Sequence, residues 1–210
     1  MITDQKNRIL NEAERTFFLR GIKSVSMEQI AENLGISKRT LYENYESKDE
    51  LILQVIRDAF KERTDFVQKR MKEKGDMNEF EFLFRLVVEM HNSLKAINPV
   101  FFEDLRKYYY RIDENSVLDL RGNFHQCIKE VCLSAQKKGY FFRDLDMDLL
   151  YTFITDMIAD KLKYQRDGKY TEVQIHKNIL GSLLRGTLTP KGQVLFDRYK
   201  RQWLSSMVKF

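Results

Sequence analysis

The sequence predicts an all-α fold: a three-helix N-terminal domain over residues 1–47, followed by a helical bundle over 48–210, with about 9–10 helices in all. Three observations carry that reading. Apolar residues recur at helical spacing along the whole chain, and no segment alternates as a half-buried strand would. Only two prolines and nine glycines occur in 210 residues, and several fall where a periodic segment ends. Between Ser26 and Lys48, two short amphipathic segments meet at Gly35, the mark of a helix-turn-helix.

The first helix is expected from about Thr3 to Arg20, with Ile9, Leu10, Ala13 and Phe17 as its inner stripe and Gly21 as its stop. Ser26 caps the second helix, and Gln29, three residues on, can return the bond, completing a capping box. Met27, Ile30, Ala31 and Leu34 share one face of it, and Gly35 supplies a left-handed stop. Ser37 caps the third helix, which turns Leu41 and Tyr45 inward, the Tyr45 hydroxyl at the rim of the core. Ser47-Lys48-Asp49-Glu50 is another capping box and opens a long fourth helix to about Lys72, a rigid lever broken at Gly75-Asp76.

A fifth helix, about Asn78 to Ala96, is apolar nearly all round, which marks a central buried element. Asn98-Pro99 is a cap followed by proline at the first helical position and opens the sixth. The seventh runs from about Asn115 to Lys138, ending at Gly139; the eighth starts at the Asp144/Asp146 cap and ends before Gly168. Thr171 caps a ninth, expected to reach Leu184 before Gly186. Thr189-Pro190 then opens a final helix through Trp203.

The third helix leaves Lys38, Arg39, Thr40, Tyr42 and Asn44 on its outer face. In a helix-turn-helix the second helix of the pair lies in the DNA major groove. There Lys38 and Arg39 reach guanine edges or phosphates, and Thr40 reaches a thymine methyl group. Lys48 sits at a helix N-terminus, where backbone N–H groups favour an anion. An ordinary αα-hairpin with a wet polar face would show the same pattern, so the motif alone leaves both readings open. Its surroundings are more specific. The run SMEQIAENLGISKRTLYENYESKDELI, after one helix and before a long helical remainder, resembles the TetR family of bacterial transcriptional regulators. The matching residues are Ser26, Ile30, Ala31, Gly35, Ser37, Thr40, Leu41, Tyr42, Tyr45, Lys48 and Leu51. Arg39 stands where the family often has a small residue, and Tyr45 where it usually has phenylalanine.

The resemblance implies the rest of the functional reading. Lys38, Arg39 and Thr40 are the expected base or near-base contacts, with Ser26, Ser37, Tyr42, Asn44 and Lys48 completing the DNA-facing set. The eighth and ninth helices of two subunits are expected to form the homodimer interface, through Phe153, Ile154, Ile158, Leu162, Ile175, Ile179 and Leu183. A pocket among the fourth to eighth helices is expected to draw on Phe60, Phe84, Val88, His91, Asn92, Phe101, Phe102, Leu105, Tyr109, Phe124, Cys127, Ile128 and Met157. Few polar groups stand among these, so the effector is expected to be small and apolar or aromatic. The expected function is a ligand-responsive regulator, a repressor that binds a palindromic double-stranded operator as a homodimer. The alternative is a DNA-binding regulator or architectural protein without a small-molecule effector, controlled by a protein partner.

Composition sets the outer limits. Net charge is +5 and the pI is near 9.0, which suits a polyanionic partner. Residues 1–48 nevertheless hold eight Lys/Arg against seven Asp/Glu, so the basic groups act by placement rather than by excess. No apolar run approaches the ~18 residues of a membrane helix, and MITDQKNRIL lacks the apolar stretch of a secretory leader. Cys127 and Cys132, five apart on one helix, read as free thiols in a reducing cytoplasm. His91, His125 and His176 fall on three different helices, and no nucleophile, phosphate-loop or metal motif is present; neither an enzyme nor a cofactor is expected.

Overall fold

The computed structural model describes residues 2–95, 97–108, 114–159 and 169–208. All regular structure among them is helical, apart from one isolated antiparallel bridge between Phe141 and Leu188. The helices are α1 (Ile2–Arg20), α2 (Met27–Leu34), α3 (Lys38–Asn44), α4 (Lys48–Lys72), α5 (Glu79–Lys95) and α6 (Pro99–Tyr108). Then follow α7 (Glu114–Lys137), α8 (Met147–Ala159), α9 (Glu172–Ile175), α10 (Gly181–Thr187) and α11 (Pro190–Val208). A π-helical segment, His176–Leu180, joins α9 to α10. The chain forms two compact units: residues 1–66 with 92–124, and residues 67–91 with 125–210.

The first unit is built on α1 to α4. Ile9, Ala13 and Phe17 of α1 meet Met27, Ile30 and Ala31 of α2, Leu41 of α3 and Leu51, Ile52, Val55 and Ile56 of α4, all buried. These are the positions the 3.6-residue spacing selects, and burying them removes the apolar stripe of each helix from water. α6 belongs to the same core through Phe101, whose ring meets that of Phe18 edge-on at 4.9 Å.

α6 also grips the end of α1 by polar contacts. The Asn98 backbone N–H donates to the Phe18 carbonyl at 2.7 Å, and its side-chain amide donates to the Leu19 carbonyl at 3.0 Å. Asp104, itself buried, accepts from the Lys23 backbone N–H at 2.8 Å. Between these contacts lies Gly21 at φ +81°, where an added Cβ would stand 2.7 Å from Val100 Cγ1 and 2.9 Å from Asp104 Oδ2. Only glycine fits both the backbone angle and the space.

The second unit centres on aromatic rings. Phe80 of α5 packs against Tyr140, Phe141 and Tyr199, and Phe84 lies 5.3 Å from Tyr199. Beside them Glu79 is a buried carboxylate that pairs with Lys74 at 2.7 Å and Lys138 at 2.8 Å and accepts from Ser134 at 3.1 Å. Burial alone would raise its pKa, but the bonds from the Lys138 and Lys74 ammoniums hold it down at about 2.

The ninth helix differs from expectation. The Asn178 side-chain amide takes the Gln174 carbonyl at 2.8 Å, the group a backbone N–H one α-turn on would use. The regular ladder gives way there to the π segment. Gly186 lies inside α10 rather than ending it, and α11 continues past Trp203 to Val208.

Candidate nucleic-acid interface

The helix-turn-helix is set by bonds between near neighbours. Gln29 N–H donates to Ser26 Oγ at 3.2 Å while the Gln29 side chain accepts from the Ser26 N–H at 2.9 Å, the reciprocal capping box. Gly35 closes α2 at φ +65°, its N–H directed at the Ala31 and Glu32 carbonyls, and the Ile36 N–H reaches Ala31 O at 3.0 Å. Ser37 caps α3, accepting from the Thr40 N–H at 3.0 Å. A third tie, Asn33 Nδ2 to Glu12 Oε1 at 2.7 Å, fixes α2 on α1.

This frame decides which side chains face outward. Leu41 is fully buried and Tyr45 is 1% exposed, whereas Lys38, Arg39 and Tyr42 stand in solvent, with Thr40 and Asn44 at the margin. The outer surface of α3 is therefore that of Lys38, Arg39, Thr40, Tyr42 and Asn44 together. Arg39 Nε donates to Glu43 Oε1 at 2.8 Å, and the Lys38 ammonium pairs with Glu28 of α2 while lying 5.8 Å from the centre of the Tyr42 ring. Each cation is held in its charged form by that carboxylate. The Thr40 hydroxyl shares a 2.8 Å bond with Ser37 Oγ, and Asn44 donates back to the Thr40 carbonyl at 2.8 Å.

Lys48 departs from the expected outward pose. Its Nζ donates to the Ile22 carbonyl at 2.7 Å and lies 6.0 Å from the centre of the Phe17 ring, tying the start of α4 to the α1–α2 loop. Burial lowers its pKa, with Asp104 and Asp49 opposing. The hydroxyls of Ser26 and Ser37 likewise serve as helix caps. Tyr45 departs too: its hydroxyl, expected at the rim, is enclosed with no hydrogen-bond partner among the described residues, and burial pushes its pKa up to about 12.

The other predicted sites divide between the two cores. Phe101 is buried in the first, with Phe60, Phe102 and Leu105 packed against it; Phe84 and Val88 pack in the second. Phe124 and Ile128 are buried, and Cys127 Sγ accepts from Gln68 Nε2 at 3.8 Å. Tyr109 and Leu162 lie outside the described residues, as do the side chains of His91, Asn92, Met157, Ile158 and His176. His125 meets Asp148 Oδ1 at 3.1 Å and stacks on Tyr151 at 4.1 Å.

Of the proposed interface residues, Phe153 and Ile179 are exposed, as is Leu149, while Ile154 and Leu183 are half-buried. Ile175, assigned to the same face, is 7% exposed and is spent within its own chain, whereas Ile179 is 44% exposed. The expected common face assumed one regular α-helix from Ile175 to Ile179, and the π segment His176–Leu180 interrupts it. Among the described residues no group of His, Cys, Asp and Glu is placed to hold a metal ion, and no helix is long and apolar enough to cross a membrane.

Sequence reasoning missed Glu28, Glu43 and Asp104. Glu43 was visible as the residue one turn beyond Arg39; Glu28 meets Lys38 only through the fold, and Asp104 meets Lys23 across 81 positions.

A buried inner face, a glycine corner and an outward Lys-Arg-Thr-x-Tyr surface define a helix-turn-helix DNA-binding regulator. Residues 9–55 match the model for the family described as bacterial regulatory proteins, tetR family. The chain carries the DNA-binding domain of the TetR family of transcriptional regulators, which are not enzymes. It is 26% identical over 182 residues to the uncharacterized HTH-type transcriptional regulator YvaF of Bacillus subtilis, covering 85% of this chain and 93% of that one. It is 23% identical over 197 residues to the HTH-type transcriptional repressor KstR2 of Mycobacterium tuberculosis, covering 91% and 96%. A crystal structure of a gamma-butyrolactone receptor, an ArpA-like protein, superposes with a TM-score of 0.67 at 18% identity, over 96% of this chain and all of that one.

Proposed function

We propose that this regulator is a homodimeric repressor that reads a palindromic operator and is released by a small apolar or aromatic effector. The observation that carries the reading is the outward face of α3, with Arg39 and Tyr42 in solvent above the buried Leu41. Lys38, Arg39 and Thr40 read or approach base edges, while Tyr42, Asn44 and the Ser26 region meet phosphates. Lys48 acts as a positioning residue, holding α4 to the α1–α2 loop. One recognition helix reads few base pairs; two held about 34–36 Å apart read one side of a duplex. Exposed Leu149, Phe153 and Ile179 supply apolar surface for the pairing. The repressor sign follows the name of the KstR2 relative, and a small-molecule effector accords with a structural neighbour that is by name a receptor.

Effector action is a population shift. A ligand that favours a conformation in which α6 moves takes the ends of α1 with it, through Asn98 and Asp104, and the two α3 helices leave groove spacing. A ligand of equal affinity for both conformations does nothing.

The test is selection of bound duplexes from a random pool, with and without hydrophobic candidate effectors. A palindromic consensus that is lost with effector present supports the reading; a single half-site, or no ligand effect across the panel, counts against the dimer or the effector respectively. Arg39→Ala is expected to relax preference at one operator position by about 10-fold, and equal loss on operator and scrambled DNA would remove its reading role.

A further inference from the structure

We propose that Glu28 and Glu43 are specificity-determining residues: they occupy Lys38 and Arg39 in the free protein and so suppress binding to arbitrary DNA. The inference rests on α3 being the recognition helix and concerns what regulates its affinity.

α3 carries two cations, and each has its own carboxylate. Arg39 Nε meets Glu43 Oε1 at 2.8 Å one turn along the same exposed face, and Lys38 pairs with Glu28 in the first turn of α2. These pairs do little for the fold. The side chains are 87% and 56% exposed in the first and 60% and 46% in the second, and ion pairs so open to water and salt contribute little stability. Their cost appears only when a polyanion approaches. Arbitrary duplexes are bound by releasing counterions from phosphates, one for each protein cation that neutralises one. A lysine or arginine already neutralised at home releases less, and its freed carboxylate is then left facing phosphates. The balance of eight basic to seven acidic residues over positions 1–48 agrees with a surface whose general attraction to DNA is kept low.

A correct base sequence escapes most of this penalty. Guanine offers two acceptors to an arginine, a bidentate match that exceeds the single Nε contact with Glu43. A phosphate at a random site offers Lys38 and Arg39 only an exchange of one anion for another. The carboxylates therefore subtract more from wrong sites than from the right one, which is how a repulsive element raises selectivity.

The experiment uses the full chain and two labelled duplexes, one of scrambled sequence and one recovered from the random pool, titrated across a salt series by fluorescence anisotropy. Glu43→Gln and Glu28→Gln are compared with Glu130→Gln, an exposed carboxylate of α7 outside the helix-turn-helix unit. Circular dichroism melts verify that each variant is folded. Each of the first two variants is expected to bind the scrambled duplex ~3-fold more tightly and to steepen the log–log salt slope by about 0.9. The recovered duplex should gain less, so the ratio between the two falls; Glu130→Gln should change neither.

Unchanged scrambled affinity and slope in both variants would mean that the pairs only support their helices, and would overturn the proposal. Selective loss on the recovered duplex, confined to one base pair, would show that Glu43 reads a base and would overturn it as well. Failure of the unaltered chain to bind either duplex would instead sink the DNA reading on which the proposal stands.

Discussion

The two units hold their polar groups in opposite ways. In the helix-turn-helix the shaping bonds join residues three apart: Ser26 with Gln29, Ser37 with Thr40, and Ser47 with Glu50. In the second unit Glu79 reaches Ser134 across 55 positions, and the Tyr199 hydroxyl donates to Glu81 across 118. Each unit also has a carboxylate held near pH 2. Glu12 is lowered by bonds from Arg15 against its burial, with Asn33 and Thr16 adding; Glu79 is lowered by Lys138 and Lys74 against burial. A frame of local bonds re-forms each helix end independently, whereas a frame of distant ones stands or falls with the packing. The exceptions in the first unit are the Asn33–Glu12 bond, the Lys48–Ile22 bond and the grip of α6 on α1, and at the last of these the comparison is most easily broken.

Gly21→Ala should have the largest effect, ~2–4 kcal/mol of destabilisation, from left-handed strain plus overlap with Val100 and Asp104. Gly35→Ala is its control, since φ is +65° but nothing lies within 4 Å of the added carbon; strain alone costs about 1 kcal/mol there. Urea melts give both values, and equal losses would mean that α6 does not press on Gly21. Next, Glu79→Gln should cost about 2–3 kcal/mol by leaving two lysines without their buried partner. Hydrogen exchange should place that loss in the second unit. Glu12→Gln should cost less, about 1–2 kcal/mol, and loosen α1 and α2.

The sign of the pH dependence follows from both folded values lying below the ordinary 4.5. The stabilisation is complete above about 4.5 and is lost as pH falls towards 2. Acid melts of the two variants should therefore lose part of that dependence, and an unaltered profile would refute the assignment. The smallest effect has the opposite sign. Tyr45→Phe removes an enclosed hydroxyl that has no partner among the described residues and should stabilise the first unit by about 0.5–1 kcal/mol. A loss instead would reveal a partner for that hydroxyl.

The same contrast explains what could be read in advance. Helix ends at Ser26, Gly35, Ser37, Asn98 and Thr171 follow from side chains within a turn of the bond they make, and the facing of Leu41 and Arg39 follows from their spacing. The Lys48 pose was not legible, because its acceptor, the Ile22 carbonyl, is brought beside it by folding. Nor was the Asp104 contact, for which the sequence offers one aspartate among many. The parting of Ile175 and Ile179 was hidden for a different cause, since the spacing rule assumes a regular α-turn between them.

That irregular turn has a consequence for how the chain can vary. A π segment accommodates one more residue than the α-helix it interrupts, so His176–Leu180 is a place where the backbone can shorten by one position and mend into continuous helix. A deletion at Asn178 should be tolerated far better than one in the middle of α4, and it would turn Ile179 to a new bearing. Length change at this point re-aims a whole apolar surface without touching the DNA-reading end.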